Sequence, residues 1–164
     1  MTRPRLEGRV TCAPMTTATR ADALRLLGQF LNGDAHYRAS AAAYGDGGPH
    51  ALSRALDLFL ARPEIGFVWL ATVDGDAAGA CVVCRAISTS RGGLVAKLDD
   101  VNVDARWQGQ GVGGAMLSAL AKHLRAEGLH RIDTACHRGN AGAWRFYAAQ
   151  GYQPLDEERI ALLL

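Results

Sequence analysis

The most constraining stretch of this chain is residues 99–117. It opens in alternation, with Leu98, Val101 and Val103 among polar residues, passes glycines at Gly109, Gly111, Gly113 and Gly114, and then adopts helical spacing. The pattern reads as strand, glycine-rich loop and helix. Glycines at such a corner let backbone N–H groups approach an anion closely, and the first turn of the helix adds unsatisfied donors and a partial positive charge. A diphosphate suits that chemistry, and a tight strand-to-helix corner is the plainer alternative.

Two familiar phosphate loops fail on spacing. A Walker loop needs Lys and then Ser or Thr after its last glycine, whereas Gly113 is followed by Gly114 and Ala115. A dinucleotide fingerprint spaces its glycines G-x-G-x-x-G and places an acid about twenty residues on, at the end of a second strand. Here Gly109, Gly111 and Gly113 run G-x-G-x-G, and Asp133 falls inside the next strand.

Bulk properties narrow the function classes. The chain of 164 residues is long enough to bury a core without disulfides or metal, and its net charge of +2 gives no argument for nucleic acid or a membrane surface. No apolar run reaches the length of a membrane span, and Arg3, Arg5 and Arg9 precede no signal-peptide core, so a cytoplasmic location is expected. Cys81 and Cys84 flank two valines in a strand pattern, where residues three apart point to opposite faces. No metal site is expected from them.

Residues 1–8 read as a loose N-terminal arm and 9–164 as one domain. A first strand at 9–13 precedes a helix from Ala18 to about Gly33, with Ala21, Leu24, Leu27, Phe30 and Leu31 as its apolar stripe. Residues 34–49 read as irregular and mobile, with helix potential only around 39–43, and a second helix runs over 50–62. Strands at 67–73 and 77–87 flank Asp74-Gly75-Asp76, a hairpin turn signal. A strand at 94–103 leads into the glycine loop, and the helix after it spans 112–127 with Val112, Met116, Leu117, Leu120 and Leu124 inward. A strand at 130–136, a helix at 140–150 capped by Asn140, and a last strand at 159–164 complete the series. The apolar last strand would either complete the sheet or meet a partner.

Gln108, Gly111 and Gly113 follow the pattern Gln or Arg, two residues, Gly, one residue, Gly or Ala, which resembles the acetyl-CoA loop of the GNAT acyltransferase superfamily. A second block, Asn140, Ala143, Phe146-Tyr147 and then Gly151-Tyr152, is similar to that superfamily's late signature. The resemblance implies an α/β (α+β) GNAT fold with a mixed sheet of six to seven strands flanked by about four helices. It implies that amides over 109–114, which include Gly109, Gln110, Gly111, Val112, Gly113 and Gly114, hold the pyrophosphate of acetyl-CoA, with Gln108 opening the loop. Val101, Asn102 and Val103 would present backbone to the pantetheine arm, Asn140 and Trp144 would border the donor, and Tyr147 would sit near the thioester sulfur. A homodimer is common among proteins of this kind.

Acetyl transfer to an amine needs a neutral nucleophile, a seat for developing negative charge, and a proton for the departing thiolate. Tyr147 suits the last role, because a phenol with ordinary pKa near 10 can donate to a thiolate. Asp99 is the candidate base. Asp100, adjacent on a strand, should point to the other face. Asn102 and Asp104 lie within reach, and His36, Tyr37, His50 and His137 are further polar candidates. The expected activity is acetyl-CoA-dependent N-acetylation of a primary amine, whether a small polyamine-like molecule or a protein lysine or N-terminus. The rival is a noncatalytic acyl-CoA-binding module on the same fold.

Overall fold

The computed structural model describes residues 9–164 except Asp46. The arm expected at 1–8 lies outside the described residues, as does Asp46 of the segment read as irregular. The sheet is centred on strand β2 (Gly66–Val73) and strand β3 (Asp76–Ser88), paired antiparallel through a turn in which Asp74 and Gly75 take φ of 50° and 90°. Positive φ at both central positions matches the right-handed strand twist, which is why Asp-Gly serves there. Strand β1 (Val10–Pro14) adds beside β2, and strand β4 (Gly93–Val103) beside β3, both antiparallel. Strand β5 (Ile132–Thr134) pairs parallel to β4 over residues 96–98, which makes a mixed sheet ordered β1-β2-β3-β4-β5.

Both faces of the sheet are covered, so its central strands read as nearly continuous apolar runs. Phe67, Trp69, Ala71 and Val73 join Met116, Leu117, Leu120 and Leu124 of helix α4 (Val112–Ala126) in one core. Helix α5 (Ala141–Ala149) adds Phe146 and Tyr147 to its margin. On the other face Val68, Leu70 and Ala80 pack with Ala23, Leu26 and Leu27 of helix α1 (Arg20–Gly33) and with Leu56 of helix α3 (Ala51–Ala61). Each fully buried leucine of these two layers contributes about 1.5–3 kcal/mol. Helix α2 (Ala35–Tyr44) runs on from α1 and buries none of its residues fully.

The architecture corrects the expectation in two places. The sheet has five strands rather than six to seven among the described residues, because residues 159–164 form none. Ile160 and Leu162 there are 91% and 84% exposed. An apolar run specifies a strand only where an edge accepts its hydrogen bonds, and the β5 edge is three residues long. Among the described residues the α-helices number five against about four expected, since the segment read as irregular contains α2. Asp34 caps it by accepting the Tyr37 N–H at 2.7 Å, and Gly45 ends it at φ 80°. Among the described residues no helix is long and apolar enough to cross a membrane.

Candidate functional site

The site is organised by a defect in β4. Ala80 and Val82 of β3 face Asn102 and Asp99 of β4, so two steps on one strand oppose three on the other. The extra residue is a β-bulge, with Asp100 at φ 52°. Beyond Leu98 the strand also loses β5 as a neighbour, after the Thr134 hydroxyl donates to the Leu98 carbonyl at 2.9 Å. The backbone of residues 99–103 therefore edges an opening between β4 and α5.

Two clefts use this opening. The loop-side cleft, about 580 Å³, is lined by Val101, Val103, Gln108, Gly109, Asn140, Phe146 and Tyr147. The helix-side cleft, about 430 Å³, is lined by Phe30, Asp34, His36, Tyr37 and Tyr44 from α1 and α2, by Asp99 and Asp100, by Thr134, Cys136 and His137, and by Arg159. Val101, Asn140, Ala143 and Tyr147 line both. Ala143 and Tyr147 are one helical turn apart on α5, so they share the face that meets β4.

At the loop, Asp104 is the anchor. Its carbonyl accepts from Trp107 N–H in the short helical turn Ala105–Trp107, and its carboxylate takes Arg106 N–H, the Arg106 guanidinium, the Arg25 guanidinium and the Gln29 amide. Burial alone would raise its pKa, but those hydrogen bonds outweigh burial and hold the carboxyl below the usual range. The side-chain amide of Gln108 donates to the Val103 carbonyl and that of Gln110 to the Arg106 carbonyl, fastening the loop to the strand end. Gly111 takes φ 89° at the start of α4, where Ala115 N–H makes a bond back to the Gly111 carbonyl. The amides of Val112, Gly113 and Gly114 form the open first turn, a natural anion seat. Gly113 has a second reason to lack a side chain, since a Cβ there would lie 3.2 Å from the Phe146 ring of α5.

The anticipated residues separate accordingly. Val101 and Val103 line the loop-side cleft, whereas the Asn102 side chain turns away and donates to the Leu26 carbonyl at 2.9 Å, as strand alternation requires. The Val112 side chain is buried in the core, so only its amide faces the loop. Asn140 caps α5 by accepting Ala143 N–H at 3.0 Å while lining both clefts. Trp144 is 40% exposed and lines neither cleft, because it is offset around α5 from the face of Ala143 and Tyr147. His36 and His137 meet in the helix-side cleft with ring centroids 4.8 Å apart, and exposed His50 stands at the start of α3, outside both clefts.

The carboxylate pair departs from the strand rule. Asp99 and Asp100 both line the helix-side cleft, because the bulge rotates Asp100 out of alternation. Asp99 is held by Lys97 at 2.9 Å and by Arg159 at 3.7 Å. Burial, and then the charge of Asp99, push Asp100 up to about 6. Burial likewise raises the Tyr147 phenol to about 12, against a hydrogen bond with Thr134 that lowers it, so the phenol keeps its proton near neutrality. Asp100, Tyr44, Thr134 and Arg159 were not anticipated in these positions. Only for Asp100 did a local signal exist, the doubled acid beside Val101, and it pointed to the wrong face.

The solved structures similar to this chain carry different acceptors in their names. An aminoglycoside acetyltransferase from an uncultured soil metagenomic sample superposes with a TM-score of 0.70 at 16% identity, covering 98% of this chain and 97% of that one. Glucosamine-6-phosphate N-acetyltransferase from Arabidopsis thaliana gives 0.67 at 16% identity over 93% and 97%. Ribosomal-protein-alanine N-acetyltransferase from Brucella melitensis biovar Abortus 2308 gives 0.67 at 14% over 94% and 99%. At such identities the likeness establishes the fold. Comparison with curated protein sequences finds no significant match. The profile of the Acetyltransferase (GNAT) family matches residues 34–152, a span that holds the bulged strand, the glycine loop and the Asn140 to Tyr147 block. The chain belongs to the GNAT family of acetyltransferases.

Proposed function

We propose that this acetyltransferase moves the acetyl group of acetyl-CoA directly to a primary amine within a ternary complex. The observation that carries the reading is the meeting of the two clefts at Val101, Asn140, Ala143 and Tyr147. Amides of the loop and the first turn of α4 suit the pyrophosphate, and the open backbone of residues 99–103 suits the pantetheine amides and the acetyl carbonyl. An amine in the helix-side cleft then lies on the far side of Tyr147 from the loop.

In this reading Asp100, with Asp99 beside it, accepts a proton from the ammonium directly or through water. The amine nitrogen bonds to the acetyl carbon as the carbon–sulfur bond breaks. The electron pair leaves on sulfur, the Tyr147 hydroxyl supplies the proton that completes free CoA, and the second proton shed by the new amide nitrogen returns through water to the Tyr147 oxygen. Asp100 is favoured over Asp99 as the acceptor of that proton, because Asp99 already faces two cations. Isothermal titration with acetyl-CoA, followed by a CoA-release assay over an amine panel, tests the proposal. Binding with release is the expected result, whereas binding with no release from any amine would leave a noncatalytic acyl-CoA module.

A further inference from the structure

The segment that follows α5 has no helix or strand as far as Leu164, yet one of its side chains reaches into the helix-side cleft. The Arg159 guanidinium lies 5.6 Å from the ring centroid of Tyr44 and 3.7 Å from a carboxylate oxygen of Asp99. Tyr44 stacks on Tyr37 at 5.7 Å with the rings nearly parallel, and Tyr37 packs on Phe30 at 5.5 Å. The segment is guided there by an ion pair between Arg138 and Glu158, and Leu163 comes to the end of α2, where a Cβ on Gly45 would meet it at 3.4 Å.

Aromatic faces beside carboxylates attract organic cations. In the helix-side cleft Asp34, Asp99 and Asp100 stand with this row of rings, and the cation now between Tyr44 and Asp99 belongs to the chain itself. Arg159 remains 48% exposed at its side chain, and exposed ion pairs of this sort are weakly held. A soluble cation with the same reach can displace it.

We infer that Arg159 occupies the subsite for the second positive charge of a dicationic amine acceptor, so that the C-terminal segment competes with such a substrate for Tyr44 and Asp99. The inference rests on the acetyl-transfer reading of the same cleft and adds to it a substrate class and a resident competitor. One ammonium of the acceptor loses its proton near Asp100 and reacts beside Tyr147, while the other replaces the guanidinium. A monoamine has no group to make that exchange.

The test compares α,ω-diaminoalkanes with n-alkylamines of equal length, reading the ratio of their kcat/KM values by CoA release. Arg159→Gln should raise the diamine-to-monoamine ratio by about fivefold, the scale of one exposed cation–π and ion-pair contact, while Tyr44→Leu and Asp99→Asn should lower it. An unchanged ratio in Arg159→Gln overturns the inference. A lower ratio in that variant overturns it too, by making Arg159 part of the acceptor seat. Calorimetry of the diamine needs no turnover, so the two readings fail separately. Tighter diamine binding by Arg159→Gln without CoA release would retain the subsite and remove the transfer reaction. CoA release with unaltered diamine binding and ratio would do the reverse.

Discussion

The two clefts that meet at Tyr147 are built in opposite ways. The loop-side cleft draws on two short stretches, residues 101–109 and residues 140–147 at the start and along one face of α5. The helix-side cleft gathers side chains from α1, α2, the bulge in β4, the turn after β5, α5 and the C-terminal segment. The members of the first are set by local dihedrals and a helix cap, and those of the second are side chains far apart in the chain. A fold can therefore keep its donor chemistry while its acceptor changes, since altering a side chain on α2 leaves the amides of α4 where they are.

That contrast can be broken or sharpened by substitution. The largest effect is expected where the clefts join. Tyr147→Phe should lower kcat by about a hundredfold while acetyl-CoA affinity stays within about twofold, as read by single-turnover kinetics and calorimetry. A collapse of affinity instead would make Tyr147 a donor-binding residue and move it wholly to the loop side. Next comes Gly111→Val, which forces a branched residue to φ 89°. A penalty of about 1–2 kcal/mol corresponds to roughly a tenfold loss of acetyl-CoA affinity, with the acceptor KM little changed. Equal losses on both substrates would show the clefts to be one unit.

Asp104 is where the two constructions are tied, since Arg25 of α1 reaches it beside the loop. Asp104→Asn should cost about 2 kcal/mol in chemical denaturation at neutral pH. The folded carboxyl titrates below its unfolded value, so its stabilisation is present above about pH 4 and is lost as pH falls toward the lower folded value. The gap between wild type and variant should close over that range. A constant gap would mean that packing, and not charge, makes the tie.

Smaller still is the expected effect on the pH profile. With Asp100 raised to about 6 and acting as an ionised base, kcat/KM should climb as pH rises through that value. Asp99→Asn removes one of the two causes of the rise, after burial, and should move this limb to lower pH. A limb that stays in place would separate Asp100 from the chemistry. Trp144→Ala, on the outer side of α5, should change acetyl-CoA affinity by less than about twofold and stability by about 0.5 kcal/mol or less. A larger loss of affinity would extend the loop-side cleft around the helix.

Most of the frame was legible beforehand, and so was most of the loop-side cleft. The hairpin at Asp74-Gly75, the inward stripe of α4 and the Asn140 cap each express a rule that operates within a few residues. The misreadings share a cause. Helix α2 was seen only around 39–43, because it carries no buried apolar stripe and a glycine cluster follows it, and the apolar residues 159–164 suggested a strand without saying whether an edge was there to receive it. Trp144 shares the late motif with Tyr147, but a shared motif does not give a shared helix face.

By itself, then, the sequence determined the elements that depend on period, capping and turn dihedrals, and with them the glycine corner and the open first turn of α4. The tertiary structure decided which carboxylates face the helix-side cleft and what stands between Tyr44 and Asp99. A bulge in β4 arises from its register against β3, and the position of Arg159 depends on α2 and β4 converging from more than fifty residues away. Neither is set by neighbouring residues, because both come from contacts whose partners are assembled only when the sheet and its covering helices close.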